Sequence, residues 1–547
     1  MQDRDRETLE LPRVLETIAA HARSERGREV VLALEPSTDR GEIEYRLDIV
    51  EELMALADEA SRVPTSDVPR VGHTLAAAAP EGAALEGRAL LDLRELLSVG
   101  RAVRGHLTRD PVRFPTLATL ADALPDIPGL LGALRRTLDE RGGVREEASP
   151  PLAAARAASR ELRTEIERRL VELVRDPDLA GTVGDRYVTL RNGRYVVPVK
   201  QSAAWTFPGI VQDRSSSEET VFVEPLFAVE LNNRLVMALK NEESEERRVR
   251  AELTALVREQ MVPLAALEDA LAEIDCFGAS AAFAAEHGCT RPSFVDAGVA
   301  LTSARHPLLV TSGRPVVPID LAIPSDRRGL AISGPNAGGK TVAVKTLGIA
   351  ALMAQSGLFV FAADGAVLPI FETVCCDIGD DQSIEYDLST FTGHVVNLAR
   401  IAKTAGPGTL VLLDEPGAGT DPVEGAALAV GILTDLLERG PLLVFTTHFP
   451  QVKTFALSEP ALEVAAFDVD PTTGAPRYRL AYHTVGQSLA IPIAQRHGFP
   501  ARAIEVAETV LSGESRDLAR AVSRLEDSRR HLVSGSVRRV HHNSQAI

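Results

Sequence analysis

Leu330-Ala331-Ile332-Ser333-Gly334-Pro335-Asn336-Ala337-Gly338-Gly339-Lys340-Thr341 is the stretch that decides the fold. A short apolar run enters a GxxxxGK[ST] pattern, and Val342 to Gln355 follows with helical composition. Strand, glycine loop and helix in that order make a phosphate cradle. Glycines let backbone N–H groups curl around phosphate oxygens, and the helix turns the positive end of its dipole to the same anion. Lys340 adds a compact charge for the β and γ phosphates, and the Thr341 hydroxyl a ligand for Mg²⁺. The expected nucleotide contacts are therefore Gly334, Pro335, Asn336, Ala337, Gly338, Gly339, Lys340, Thr341 and Val342. A glycine-rich turn without function is the plainer alternative. Lysine argues against it, because six lysines against 53 arginines make a chance match rare.

Two more apolar runs end in polar chemistry. Thr409-Leu410-Val411-Leu412-Leu413 stops at Asp414-Glu415-Pro416. An acidic pair at the C-terminal end of a parallel strand sits where α/β folds bind ligands. Asp414 is expected to hold Mg²⁺ and Glu415 to orient and activate the attacking water; two exposed turn carboxylates are the alternative. Leu442-Leu443-Val444-Phe445 stops at Thr446-Thr447-His448, where His448 can hydrogen-bond the γ phosphate or the water. Upstream of the acidic pair, Ser389 reads as the N-cap of a helix with Phe391, Val395, Leu398 and Ala402 on one face. A serine there can bind phosphate. One cradle is already present, so the second points to a partner subunit.

Composition suits several domains: of 547 residues, 45% are hydrophobic and 25% charged. Acids outnumber bases 77 to 59, a formal charge of −18. That excludes coating of DNA by the bulk surface and leaves a local patch as the only route to nucleic acid. Cys276, Cys289, Cys375 and Cys376 form no CxxC pair, so neither a disulfide framework nor a structural zinc site is expected. Met1–Glu10 is charged and reads as no signal peptide. The apolar run Leu347–Ala363, broken at Gln355, Ser356 and Gly357, reads as a buried helix followed by a buried strand, not a membrane span.

Residues 1–145 read as a helical core cut by prolines. Residues 146–290 hold a charged helix to about Pro177, a β island at 181–225, and a helix from about Leu226 to Glu259. The middle of that last helix, Asn241–Glu252, is nearly all charged. Glu243 with Arg247 and Glu246 with Arg250 are i,i+4 pairs, and a helix polar all round suits an exposed strut between domains. Residues 291–513 alternate strands and helices, as in a parallel α/β sheet. Residues 514–547 form an arginine-rich helix and tail.

In the β island, Asn192-Gly193 between two β-branched and aromatic runs predicts a hairpin. Arg186, Arg191, Arg194 and Lys200 stand against Asp185, with Tyr187, Tyr195, Trp205 and Phe207 nearby. Cations beside aromatics suit phosphate contact and base stacking. A small β domain using those aromatics as its own core is the alternative, and it would account for Tyr187 and Trp205 in full.

Together these residues resemble the ATP-binding-cassette-type ATPases of the MutS group, and more narrowly its second bacterial branch. GPNAGGKT at 334–341, LSTF at 388–391, LLDEPGAGTDP at 412–422 and TTH at 446–448 carry the group. RNGRYVVPVK at 191–200, the Ser-rich loop 215–217, VFVEPLFAVELNN at 221–233 and Arg305-His306-Pro307 carry the branch. The resemblance implies an α/β, ABC-type P-loop ATPase domain behind a mainly helical core and lever region with a small β-containing clamp. It implies ATP and Mg²⁺, and a head-to-tail homodimer in which each P-loop faces Ser389 of the partner subunit across the loop Gly417–Pro422. His483 matches a residue that stacks on adenine, and Asp381 and Gln382 match water-positioning groups.

The implied activity is ATP hydrolysis coupled to closure of a clamp on structured DNA such as junctions. Its outcome would be suppression of homologous recombination in the bacterial cytoplasm, at the nucleoid. A ribosome-associated ATPase acting on stalled ribosomes through rRNA, and a weakly active structural dimer working through partners, are the rivals. Mismatch reading is not expected: no phenylalanine precedes Phe114, and Phe222-Val223-Glu224 is a chance match to the Phe-x-Glu wedge. The branch continues into a Smr-type nuclease domain. This sequence runs to Ile547 without an Asp-Leu-His-Gly motif, so that nuclease activity is not expected of it.

Overall fold

The apolar runs of the C-terminal half become neighbouring strands of one six-stranded sheet. Its order is Thr373–Asp377, Thr409–Leu413, Leu442–Thr447, Gly329–Ser333, Leu462–Val469, Pro476–Tyr482. The first five strands are parallel and the last is antiparallel. Here and below, a computed structural model describes residues 2–59, 62–66, 68–216, 219–334, 339–379, 390–470, 476–485, 494–495 and 498–510. Every residue of Gly329–Ser333 and Thr409–Leu413 is buried. Burial on both faces is why these strands read as unbroken apolar runs instead of alternating. Val411, Leu413 and Phe445 share a core with Ile401, Leu433 and Val452 of the helices Thr390–Thr404, Pro422–Arg439 and Pro450–Ser458. Leu412 instead meets Gly348 of the helix Lys340–Gln355. Thr447 pairs with Ser333, and Asp377 with Leu413. This register brings Gly334, Asp414 and His448 off the sheet at one edge.

The chain divides into two units, residues 1–63, 107–120 and 272–547, and residues 64–106 and 121–271. The six-stranded sheet belongs to the first. So does a smaller sheet with the order Ser293–Val295, Val367–Pro369, Val299–Ala304, Ile319–Ile323. The strand expected after the helix Lys340–Gln355 does not form. Leu358–Ala362 is buried but makes only the isolated bridge Thr290–Val360. Its hydrogen bonds are shared among separate segments, with Thr290 on Val360 and Arg305 on Phe361.

In the second unit, helices Pro150–Arg175 and Leu226–Glu259 pack together beside an antiparallel sheet with the order Thr189–Arg191, Arg194–Lys200, Thr220–Pro225, Gly209–Arg214. Asn192 and Gly193 adopt φ of +50 and +72, the left-handed pair that a two-residue hairpin needs. Tyr195 and Phe207 enter a core with Val197, Val199, Val221, Ile166 and Leu231. Tyr187 and Trp205 do not, being 44% and 87% exposed. The core explanation of those two aromatics is therefore wrong. The charged middle of Leu226–Glu259 is no bare strut either. Glu242 and Glu246 pair with Arg156 of the neighbouring helix, Arg250 pairs with Glu86, and Val249 is buried. Charge is exchanged with other elements as well as along the helix, where Arg248 pairs with Glu245 and Glu252. Among the described residues no single helix is long and apolar enough to cross a membrane.

Gly425, in the first turn of Pro422–Arg439, lies against Gly417. A Cβ on Gly425 would sit 2.2 Å from the Gly417 carbonyl oxygen. Gly425→Ala is expected to destabilise the protein by about 1–3 kcal/mol, as overpacking against backbone does. Gly431→Ala in the same helix meets no atom within 4 Å and is expected to be neutral or stabilising. Urea unfolding of the two variants checks both.

Candidate active site

Gly339, at φ +95, turns the chain into the helix that Lys340 opens. The Lys340 side chain is 2% exposed, and a buried ammonium needs a counter-charge. Glu415 Oε1 supplies it at 2.7 Å, and Nζ also donates to the Gly334 carbonyl at 3.0 Å. Glu415 Oε2 lies 3.2 Å from His448 Nδ1. The hydrogen bond with His448, then that with Lys340 and its charge, outweigh burial and hold the Glu415 carboxyl down at about 2. Glu415 is thus a carboxylate throughout the neutral range. Its backbone sits at φ +53, a left-handed conformation that costs a non-glycine residue about 1–3 kcal/mol. The Glu415 N–H donates to Thr446 Oγ1 at 2.9 Å, which anchors the turn.

Asp414 faces the first turn of the Lys340 helix. Its Oδ2 accepts from Thr341 Oγ1 at 2.6 Å, and its other oxygen accepts from Thr446 Oγ1. A hydroxyl and a carboxylate this close form the hard oxygen set that Mg²⁺ takes. Thr446 serves both acidic residues. Sequence reasoning named only His448 of that triplet, although the alignment of strand ends carries Thr446 with it. Asp414 also donates its N–H to the Asp377 carbonyl at 2.8 Å.

Asp377 in turn holds His394 Nδ1 at 2.9 Å and Asn397 Nδ2 at 2.8 Å. Arg400, one turn on, pairs with the buried Asp5 at 3.0 Å. These polar ties rotate the helix Thr390–Thr404. Asn397 and Ile401 are buried and Leu398 packs against the core, while Val395 is 41% exposed, so the expected face through Phe391, Val395, Leu398 and Ala402 is only partly the buried one.

A cavity of about 250 Å³ opens beside Gly339 and Val342, lined also by His306, Val317, Phe467 and Tyr478. Neither ring nitrogen of His306 has a hydrogen-bond partner among the described residues. Burial pushes that imidazole down to about 4, so it is neutral. Nothing in the local pattern marks Phe467 or Tyr478; the strand Leu462–Val469 and the edge strand Pro476–Tyr482 bring them to Gly334 and Gly339. His483 is not part of this lining. Its Nδ1 lies 3.0 Å from Glu463, and its N–H donates to the Val464 carbonyl. Pro335, Asn336, Ala337, Gly338, Asp381, Gln382 and Ser389 lie outside the described residues.

The four cations of the β island separate into two kinds. Arg194 pairs at 2.7 Å with Glu224, whose side chain is fully buried. Arg191 pairs with Asp213 at 3.2 Å and stacks over Phe222. Arg186 and Lys200 are exposed, and Trp205 stands out in the loop that follows Lys200.

MutS domain V, a known family, matches residues 330–513, the stretch that holds Lys340, Asp414, Glu415 and His448. Endonuclease MutS2 of Geobacillus thermodenitrificans (strain NG80-2) is 37% identical over 542 residues, covering 98% of this chain and 69% of that protein. The chain belongs to the MutS2 family. Endonuclease MutS2 of Aquifex aeolicus (strain VF5) is 36% identical over 96% of this chain and 68% of its own length. That of Thermomicrobium roseum is 37% identical over 95% and 67%. Membership in MutS2 makes the chain a MutS-family ATPase and accounts for the motifs occurring together on one sheet edge.

Thr446→Val keeps the strand and its volume but removes the hydroxyl that serves Asp414 and Glu415. Turnover is expected to fall about 10–100-fold, as for loss of a group that orients metal ligands. Binding of a fluorescent ATP analogue should change far less, and steady-state kinetics with a binding titration separate the two.

Proposed function

We propose that this MutS2 chain hydrolyses ATP as a head-to-tail homodimer and uses the cycle to close a clamp on branched DNA. The observation that carries the chemistry is the chain of contacts Lys340–Glu415–His448 at the sheet edge. When the β and γ phosphates enter the cradle of residues 334–342, they compete with Glu415 for Lys340. Glu415 is then free to orient the attacking water and accept its proton. His448, 45% exposed, can follow the carboxylate or turn to the γ phosphate. Thr341 and Asp414 would hold Mg²⁺, which when bound neutralises charge on the β and γ oxygens. The cavity of His306, Phe467 and Tyr478 beside Gly339 offers room for a base, and His483 is kept as a second stacking candidate. Ser389 of the partner subunit would complete the site.

In this reading residues 1–145 are the core, 146–290 the lever and clamp, and 291–513 the ATPase. The exposed Arg186, Lys200 and Trp205 would touch the nucleic acid, and Arg191 and Arg194 would shape the island that presents them. The setting is the bacterial cytoplasm and the outcome is suppression of homologous recombination.

Lys340→Ala and Glu415→Ala are each expected to cut ATP turnover by about 100-fold or more, the scale of a lost catalytic group. Wild-type turnover in either would place the chemistry elsewhere. Reversing Arg186 and Lys200 to Glu together is expected to weaken four-way-junction binding and lower its salt slope by about 2. Unchanged affinity would remove the β island from the interface. Co-sedimentation with ribosomes that exceeds junction binding would favour the ribosomal reading.

A further inference from the structure

We infer that His21, Glu286 and His287 form a site for a first-row divalent transition metal, with Zn²⁺ the natural occupant, separate from the nucleotide site. Among the described residues this is the one group of three metal-capable side chains whose ligand atoms all lie within 4.8 Å of one another. His21 Nδ1 is 3.8 Å from one oxygen of Glu286, and His287 Nε2 is 4.0 Å from the other. Tetrahedral Zn²⁺ with bonds near 2.0–2.1 Å sets its donors roughly 3.3 Å apart. The two Glu286–imidazole distances must therefore shorten by about 0.5–0.7 Å, and a pair of ligand atoms at the 4.8 Å limit by about 1.5 Å. Glu286, 58% exposed, is free to make that movement.

The two imidazoles are already placed. His21 and His287 are 19% and 18% exposed. Both pack edge-on against Phe283, with ring centroids 5.7 and 4.7 Å away, and His287 also lies against Phe361. Little side-chain freedom remains to be lost on binding. Backbone polarity favours a cation too. His21 lies in the turn just after the helix Leu11–Ala19, and Glu286 and His287 end the helix Met261–His287. Helix C-termini carry negative partial charge.

Two features act against the ion. Arg305 donates to the His287 and Gly288 carbonyls at 3.3 and 3.4 Å, and Arg62 is close enough to act on His21. They make the site weaker than a structural zinc site and leave room for solvent ligands. Two imidazole donors select Zn²⁺, Co²⁺, Ni²⁺ or Cu²⁺ over Mg²⁺ and Ca²⁺. Bound metal would cross-link the first helices of the chain to the segment that leads into the ATPase sheet.

The test uses the full chain, chelator-treated and free of nucleotide and Mg²⁺. All four cysteines are buried, so they do not compete for added metal. Titration with Co²⁺ is expected to give one equivalent of visible d–d absorption that Zn²⁺ displaces. His21→Gln and His287→Gln should each weaken uptake about 10-fold or more. Glu286→Gln, an exposed change that leaves the core intact, should weaken it as well. Circular dichroism identifies any variant that fails to fold. Absence of the Co²⁺ signal in wild type, or equal uptake by wild type and folded Glu286→Gln and His21→Gln, overturns the site.

Discussion

A lysine ammonium almost wholly removed from water organises this site. Lys340 is buried because the helix it begins packs under the sheet, and a buried cation without a counter-charge is strongly destabilising. Glu415 meets that demand at 2.7 Å. The rest of the geometry follows. Glu415 must leave the strand at a left-handed φ to reach Lys340, and Thr446 must anchor that turn. Asp414, one residue earlier, is then presented to Thr341. The chemistry and the stability of the fold therefore draw on the same pair of charges.

How much of this was legible in the sequence depended on the range of the signal. The parallel strands were visible because burial on both faces writes itself as unbroken apolar runs, as in Thr409–Leu413. Their ends carried Lys340, Asp414, Glu415 and His448 because parallel strands align their C-termini. The Asn192-Gly193 turn was legible because its backbone conformation is a local property of those two residue types. What remained hidden was set by partners far along the chain. The inward face of Thr390–Thr404 follows Asp377 and Asp5 as well as the helix's own apolar residues Leu398 and Ile401. The charged stretch of Leu226–Glu259 looked solvated because Arg156 and Glu86 lie in other segments. Phe467 and Tyr478 reach the glycine loop only through sheet order.

Charge bears on nucleic acid in the same way. A net −18 forbids general adhesion, and the β island is a short stretch where excess cations stand among aromatics. Two of those four cations turn out to be committed within the island, Arg194 to the buried Glu224 and Arg191 to Asp213 and Phe222. The exposed remainder, Arg186 and Lys200, stands with an aromatic that belongs to no core. That narrows the proposed contact surface to one part of the island and separates residues that build it from residues that would touch a ligand.

The central claim is that Glu415 neutralises Lys340 until phosphate replaces it. With only six lysines in the chain, lysine-selective NMR can follow the Lys340 side chain, assigned through Lys340→Arg. The measurement compares its ¹³Cε and ¹⁵Nζ resonances in the free protein, in Glu415→Gln, and with a non-hydrolysable ATP analogue and Mg²⁺. The account predicts that the signal moves in both perturbed states. A Lys340 signal unchanged by Glu415→Gln would contradict it.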